Sequence, residues 1–159
     1  MNRKQNDWNL YKYDFDTNGA DLILNDSNDS WIDRDPFIVP GEIGTWTTKR
    51  GFSFAIMDDG EIIWISEKDG FSHIYRNRPD GRPINQVTRG DWEVNNISAI
   101  DYRNETIYFS AKKETETENH LYSIRFNGSR LKRLTKEKGS HSSSFSPTLN
   151  YFINSYSSF

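Results

Sequence analysis

Short runs of apolar and aromatic residues alternate with polar turn sequences along most of the chain. The runs have the length of β-strands, and no stretch shows the roughly 3.6-residue apolar period of an amphipathic helix. The turns contain Asp-Gly or Asn-Gly pairs, which reverse a strand at low steric cost. Examples are Asp59-Gly60, Asp80-Gly81 and Asn127-Gly128. The pattern predicts an all-β fold built from antiparallel hairpins.

The pattern occurs twice with a constant offset of 47 residues. His73-Ile74-Tyr75 is matched by His120-Leu121-Tyr122, and Thr88 is matched by Thr135, since 120 − 73 and 135 − 88 are both 47. A period in the forties with several short strands in each repeat is typical of propeller blades, each a four-stranded antiparallel sheet. We therefore expect a β-propeller.

The repeat divides residues 1–159 into parts of about three four-stranded antiparallel blades in one propeller domain. About three blades cannot close into a ring, so we expect an arc of a larger propeller. Strands are predicted at 52–57, 62–66, 73–77 and 83–87, and in the next blade at 97–102, 106–111, 120–125 and 131–134. The expected division is half a blade at 1–25, a connecting loop at 26–48, blades at 49–90 and 91–136, and the start of another blade at 137–159.

Composition and charge argue against several classes of function. The chain has 20 basic and 23 acidic residues in an interspersed order, which is not the footprint of a nucleic-acid-binding protein. It has no cysteine, so disulfides and thiolate metal sites are excluded. No run approaches the ~20 apolar residues of a membrane-spanning helix. The segment contains no signal peptide, and by itself it does not indicate a compartment.

Several motifs resemble the dipeptidyl peptidase IV family of the prolyl oligopeptidase superfamily. The likeness is carried by residues 64–75, by the Trp92-Glu93-Val94 element within 88–94, and by residues 141–147 followed by Tyr151-Phe152. It extends over essentially the whole chain in one register. The resemblance implies an N-terminal propeller, eight-bladed in this family, joined to a C-terminal α/β-hydrolase domain.

The resemblance also implies a function. Members of the family are serine exopeptidases that release dipeptides from peptide N-termini, and they commonly form dimers. We therefore expect peptide substrates, the chain's own hydrolase domain as partner, and a homodimer. An exported protein is expected as well, located in the periplasm, at the cell surface or outside the cell.

Catalytic residues are not predicted in this chain. A serine peptidase of this kind needs a Gly-x-Ser-x-Gly nucleophile elbow, and the sequences around Ser53 and Ser72 lack the second glycine. His73 and His120 occupy equivalent repeat positions, which favours a repeated packing role over metal binding. His141 stands in a serine-rich stretch that we expect to be a loop. No cofactor or metal site is predicted, and the chain alone is expected to be inactive.

With no catalytic residue, cofactor or metal site predicted, the function expected of this chain is contact with substrate. Arg34 and Phe37 correspond to a family loop that can line the cavity between propeller and hydrolase, and they are the predicted substrate-lining residues. The resulting hypothesis is a non-catalytic propeller segment that gates and positions peptides. The alternative is an exported protein-binding propeller scaffold without peptidase activity. A glycoside-processing propeller is a third hypothesis, which would need inward-facing carboxylates on several blades.

Overall fold

The computed structural model of the protein describes residues 7–27 and 54–158. These residues form twelve β-strands in four antiparallel sheets and contain no helix. The predicted all-β class is therefore confirmed. The two outer sheets are hairpins: β1 (Asp7–Asp14) pairs with β2 (Gly19–Ser27), and β11 (Ser140–Phe145) pairs with β12 (Phe152–Ser157).

The two central sheets each contain four strands in chain order. The first comprises β3 (Phe54–Ile56), β4 (Ile62–Ser66), β5 (His73–Asn77) and β6 (Pro83–Gln86). The second comprises β7 (Glu93–Asp101), β8 (Thr106–Lys112), β9 (His120–Arg125) and β10 (Lys132–Arg133). A four-stranded antiparallel meander of this kind is the blade of a β-propeller.

Most strands lie where the apolar pattern predicts them, with two exceptions. Strand β7 begins at Glu93, four residues before the predicted start at 97, because its pairing with β8 contains two irregularities that interrupt the alternation. The prediction of a loop around His141 is wrong. Its serine-rich sequence forms β11, in which His141 pairs with Tyr156 of β12. Backbone pairing, rather than an apolar face, makes this segment a strand.

The largest apolar cluster lies between the two four-stranded sheets. In this cluster Trp92 stacks on Phe109, with ring centroids 6.2 Å apart, and Phe109 stacks on Tyr122 at 5.6 Å. Burial of such large rings is the main source of stability for thin sheets. The other buried members are Ala55, Met57, Ile63, Ile65, Ile74, Val87, Val94, Ile97, Ile100, Ile107, Ala111, Ile124 and Phe126.

A second cluster joins the β1–β2 hairpin to the first four-stranded sheet. Trp8 stacks on Trp64 with ring centroids 6.0 Å apart, and Leu24 is buried beside them. The turn before β6 also meets β2: Gly81 has a φ of +82°, and a Cβ atom there would collide with the carbonyl oxygen of Ile23. Glycine is therefore required at 81 both for its φ and for the close approach.

Candidate functional site

A nucleophile elbow needs a strand-to-helix turn, and residues 7–27 and 54–158 contain no helix. Ser72 instead lies in the turn between β4 and β5. Its backbone carbonyl accepts a 2.8 Å hydrogen bond from the amide of Val94, so this residue links one sheet to the next. Ser53 lies outside the described residues.

His73 is buried at the start of β5 with both ring nitrogens engaged. Nδ1 lies 3.1 Å from the Thr88 hydroxyl, and Nε2 lies 2.9 Å from the carbonyl oxygen of Gly90. The same hydroxyl also accepts a 2.9 Å bond from the Ile74 amide. In the tautomer that fits these partners, Nε2 donates to the Gly90 carbonyl, which can only accept, and Nδ1 accepts from the Thr88 hydroxyl.

The same arrangement recurs 47 residues later. His120 Nδ1 lies 3.1 Å from the Thr135 hydroxyl, which also accepts a bond from the Leu121 amide. The partner of Nε2 is different: in His120 it is the Glu118 carboxylate, at 3.0 Å, rather than a backbone carbonyl. The bond from His120 lowers the pKa of Glu118. Each histidine thus ties the start of a third strand to the segment that follows the fourth.

Neighbouring sheets are also joined by a repeated backbone bond. The Asn119 carbonyl accepts a 2.8 Å bond from the His141 amide, just as Ser72 accepts one from Val94. The Asn119 side chain adds a 3.0 Å bond to the His141 carbonyl. The two acceptor residues are 47 positions apart, and so are the two donor residues. The repeat therefore specifies not only the sheets but also the junctions between them.

One charged cluster lies at the end of β4, close to β2. Both carboxylate oxygens of the buried Asp26 accept from the Ser66 hydroxyl, at 2.9 and 3.0 Å. The Lys68 ammonium lies 3.8 Å from the centroid of the Tyr75 ring. Burial lowers the pKa of Lys68 and raises the pKa of Tyr75. This cluster joins two sheets by polar contacts, and its tyrosine stays protonated at neutral pH.

The predicted substrate-lining residues, Arg34 and Phe37, lie outside the described residues, as does almost all of the connecting loop expected at 26–48. Within the described ranges, no group of three or more His, Cys, Asp or Glu side chains is arranged to hold a metal ion. No helix in this part of the chain has the length and apolarity needed to cross a membrane.

Sequence reasoning missed the Asp26 cluster and the burial of His141. Asp26 gave no signal, since an acidic residue near the end of a short strand is usually exposed. His141 did have one: subtracting 47 places it at Val94, in the Trp92-Glu93-Val94 element. Extending the repeat to the last strands would have identified His141 as a junction residue.

Four-stranded antiparallel sheets on a 47-residue repeat, each with a His–Thr pair and joined by a repeated backbone bond, define a portion of a β-propeller. The family assignment is more specific. Residues 1–159 match the Dipeptidyl peptidase IV (DPP IV) N-terminal region, and the chain belongs to this family.

Individual relatives agree with the family match. The chain is 30% identical over 133 residues to Dipeptidyl peptidase 4 of Arthroderma otae, covering 82% of the chain and 16% of that protein. It is 28% identical over 159 residues to Probable dipeptidyl peptidase 4 of Aspergillus flavus, covering 98% of the chain and 20% of that protein. The crystal structure of Porphyromonas gingivalis dipeptidyl peptidase 4 superposes with a TM-score of 0.78 at 26% identity, covering 99% of the chain and 20% of that structure. The chain thus spans a fifth or less of these relatives.

Proposed function

We propose that the chain is a non-catalytic propeller segment of a serine dipeptidyl peptidase that gates and positions peptides for a C-terminal α/β-hydrolase domain. The observation that carries the proposal is the family match over residues 1–159. A ring of blades admits a thin, extended peptide and excludes a folded protein, so it acts as a size filter through its geometry alone. Reactive groups are then supplied by the hydrolase domain.

The chemistry of the described histidines supports a non-catalytic role. A general base needs a free lone pair within reach of the substrate proton. In His73 and His120 the Nδ1 lone pair already accepts from a threonine hydroxyl, and both rings are buried. Neither ring has a nitrogen left to accept a proton from a substrate.

Substrate contact, assembly and location are part of the same proposal. Arg34 and Phe37 are proposed to face the peptide, with the guanidinium available for a carbonyl or carboxylate and the ring for an apolar side chain. We also propose a homodimer and export to the periplasm, the cell surface or the medium. These features are supported by the family to which the chain belongs.

The test compares the purified 159-residue chain with the longer peptidase of which we propose that it is a segment. The chain alone is expected to release no fluorophore from dipeptidyl-coumarin substrates, whereas the longer protein is expected to release it. In the longer protein, Arg34→Ala and Phe37→Ala are expected to raise KM more than they lower kcat. A longer protein that binds other proteins but cleaves no dipeptidyl substrate would favour the scaffold alternative.

A further inference from the structure

Four hairpin turns share one backbone form, and one of the four carries an amide side chain. In each of these turns a glycine amide donates to the carbonyl oxygen three residues earlier, at 2.8 or 2.9 Å, and the glycine has a φ between +82° and +98°. The glycines are Gly60, Gly70, Gly81 and Gly128. The preceding residue is aspartate in the first three turns and Asn127 in the fourth. Asn127 therefore brings a carboxamide to a position that the other three turns give to a carboxylate.

The turn between β9 and β10 uses the oxygen of the Asn127 carboxamide. Oδ1 accepts a 3.0 Å bond from the Ser129 amide and a 2.7 Å bond from the Ser129 hydroxyl. The carboxylates of Asp59 and Asp80 accept the equivalent amide bond in their own turns, at 3.0 and 3.1 Å. The turn therefore requires an acceptor oxygen at position 127, which aspartate supplies as well as asparagine.

The Asn127-Gly128 sequence places an electrophile next to a nucleophile. The Gly128 amide nitrogen can attack Cγ of Asn127, which forms a C–N bond, closes a succinimide ring and releases Nδ2 as ammonia. The amide proton of Gly128 passes through solvent to the leaving ammonia. One water molecule then opens the ring at either carbonyl carbon, and the product is aspartate or isoaspartate. Glycine favours the attack because it has no side chain to hinder its nitrogen.

The contacts of Ser129 favour this reaction at Asn127. Negative charge develops on Oδ1 when the carboxamide is attacked, and both donors of Ser129 already point at that oxygen, as the donors of an oxyanion hole do. The bond from the Ser129 amide also folds the side chain back over the Gly128 peptide. Asn127 and Ser129 are exposed, so water reaches the ring. The attack must break one backbone bond, from the Gly128 amide to the Arg125 carbonyl.

The other Asn-Gly pair of the chain is arranged differently. Asn18 Oδ1 accepts from the Tyr13 hydroxyl, and it accepts no bond from the amide two residues further on. The side chain is thus held across the hairpin rather than folded over the following peptide. Gly19 is the first residue of β2 and pairs with Asp14 of β1, so it is held in the strand ladder. The structure therefore favours ring closure at Asn127 over ring closure at Asn18.

The turn at Asn127 also touches the first four-stranded sheet, which determines how each product fits. A Cβ atom on Gly128 would lie 2.9 Å from the carbonyl oxygen of Val87, and the Asn85 side chain donates to the Phe126 carbonyl at 3.0 Å. Aspartate keeps the backbone and the acceptor oxygen. Isoaspartate inserts a methylene group into the backbone at this close contact, where there is no room for it.

We propose that Asn127 is a site of spontaneous deamidation, at which the folded chain loses ammonia and takes up water without an enzyme, in preference to Asn18. The aspartate form is expected to stay folded, since it carries the residue type of the other three turns. The isoaspartate form is expected to weaken the contact between the β9–β10 turn and the segment that follows β6.

Peptide mapping of the full folded chain tests the proposal. The chain is incubated in mildly alkaline buffer made with heavy-oxygen water, so that water taken up during the incubation is distinguished from later handling. Tryptic peptides 126–130 and 13–34 report on Asn127 and Asn18 separately. Peptide 126–130 is expected to gain label at least about fivefold faster, the rate effect of one ordinary hydrogen bond. In concentrated urea, where the turns are lost, the two rates are expected to converge.

A serine variant tests the contacts that carry the argument. Ser129→Ala removes the hydroxyl bond to Oδ1 and keeps the amide bond, so labelling of 126–130 is expected to slow by about fivefold while labelling of 13–34 is unchanged. Ser155→Ala is the matched control, at an exposed position of β12, and should change neither rate. For the product, Asn127→Asp is expected to unfold at the temperature of the unmodified chain and Asn127→Ala at a lower one.

Equal labelling of the two peptides in the folded chain would overturn the proposal, as would a preference for Asn127 that persists unchanged in urea. A Ser129→Ala chain that reacts at the wild-type rate would contradict the role given to the hydroxyl. Should Asn127→Asp unfold as early as Asn127→Ala, the turn does not accept the aspartate product, and that part of the proposal fails.

Discussion

Thr88 and Thr135 show how one side chain can tie the segment after the fourth strand of a sheet to the start of the third strand. In each case the hydroxyl accepts a backbone amide bond and donates to a buried histidine, so one oxygen atom satisfies two polar groups. Buried polar groups without partners destabilise a fold, so these two hydroxyl groups contribute to stability although the threonine side chain is small. A motif that reads as an ordinary strand end in the sequence is therefore a connection between elements.

Thr88→Val is expected to destabilise the chain by about 1–3 kcal/mol. Valine has the shape of threonine, so packing is retained while His73 Nδ1 and the Ile74 amide lose a buried partner. Chemical denaturation provides the measurement. Thr148→Val is the matched control, since Thr148 is exposed, and it should change the free energy of unfolding by less than about 0.5 kcal/mol. Equal effects of the two variants would contradict the role assigned to Thr88.

At the scale of elements, the hairpin turns reverse the chain and can also make tertiary contacts. The turn that ends in Gly81 approaches the backbone of β2, and this contact helps the first hairpin to stack on the four-stranded sheet. The turn that ends in Gly70 has a similar backbone, with a φ of +98°, but a Cβ atom there would meet nothing within 4 Å. The two glycines look equivalent in the sequence, since each follows an aspartate, and they differ only in their tertiary contacts.

This difference can be measured by substitution with alanine. Gly70→Ala is expected to cost about 1–2 kcal/mol, the ordinary cost of a left-handed backbone for a residue with a Cβ atom. Gly81→Ala carries the same cost and in addition must displace the Ile23 carbonyl, so it is expected to destabilise the chain considerably more. Thermal unfolding of both variants gives the comparison. A Gly81→Ala variant as stable as Gly70→Ala would show that β2 does not approach this turn.

At the scale of the molecule, β12 stands apart from the other strands because all of its residues are exposed. Ile153 is 72% exposed and Tyr156 is 52% exposed. Among the described residues, β12 pairs with β11 alone, so its other edge presents unpaired backbone groups. Strand edges of this kind with apolar side chains promote association with other chains.

The 159-residue chain is therefore expected to self-associate as its concentration rises. Ile153→Lys should reduce association, because a charged side chain on an edge strand opposes pairing with another strand. Light scattering over a concentration series measures the effect. The control is Thr148→Lys, which adds the same charge at an exposed position outside the strands. A wild-type chain that stays monomeric at all concentrations would contradict the prediction.

The sequence by itself determined the all-β class, the repeat and most strand positions, because alternation of apolar residues and Asp-Gly turns are local properties. It also indicated the equivalence of His73 and His120. It did not reveal that His141 is buried, because a serine-rich strand has no apolar pattern. The tertiary structure showed the burial directly, since it depends on a neighbouring sheet. For the same reason the Asp26–Ser66 contact, which joins residues 40 positions apart, was decided by packing alone.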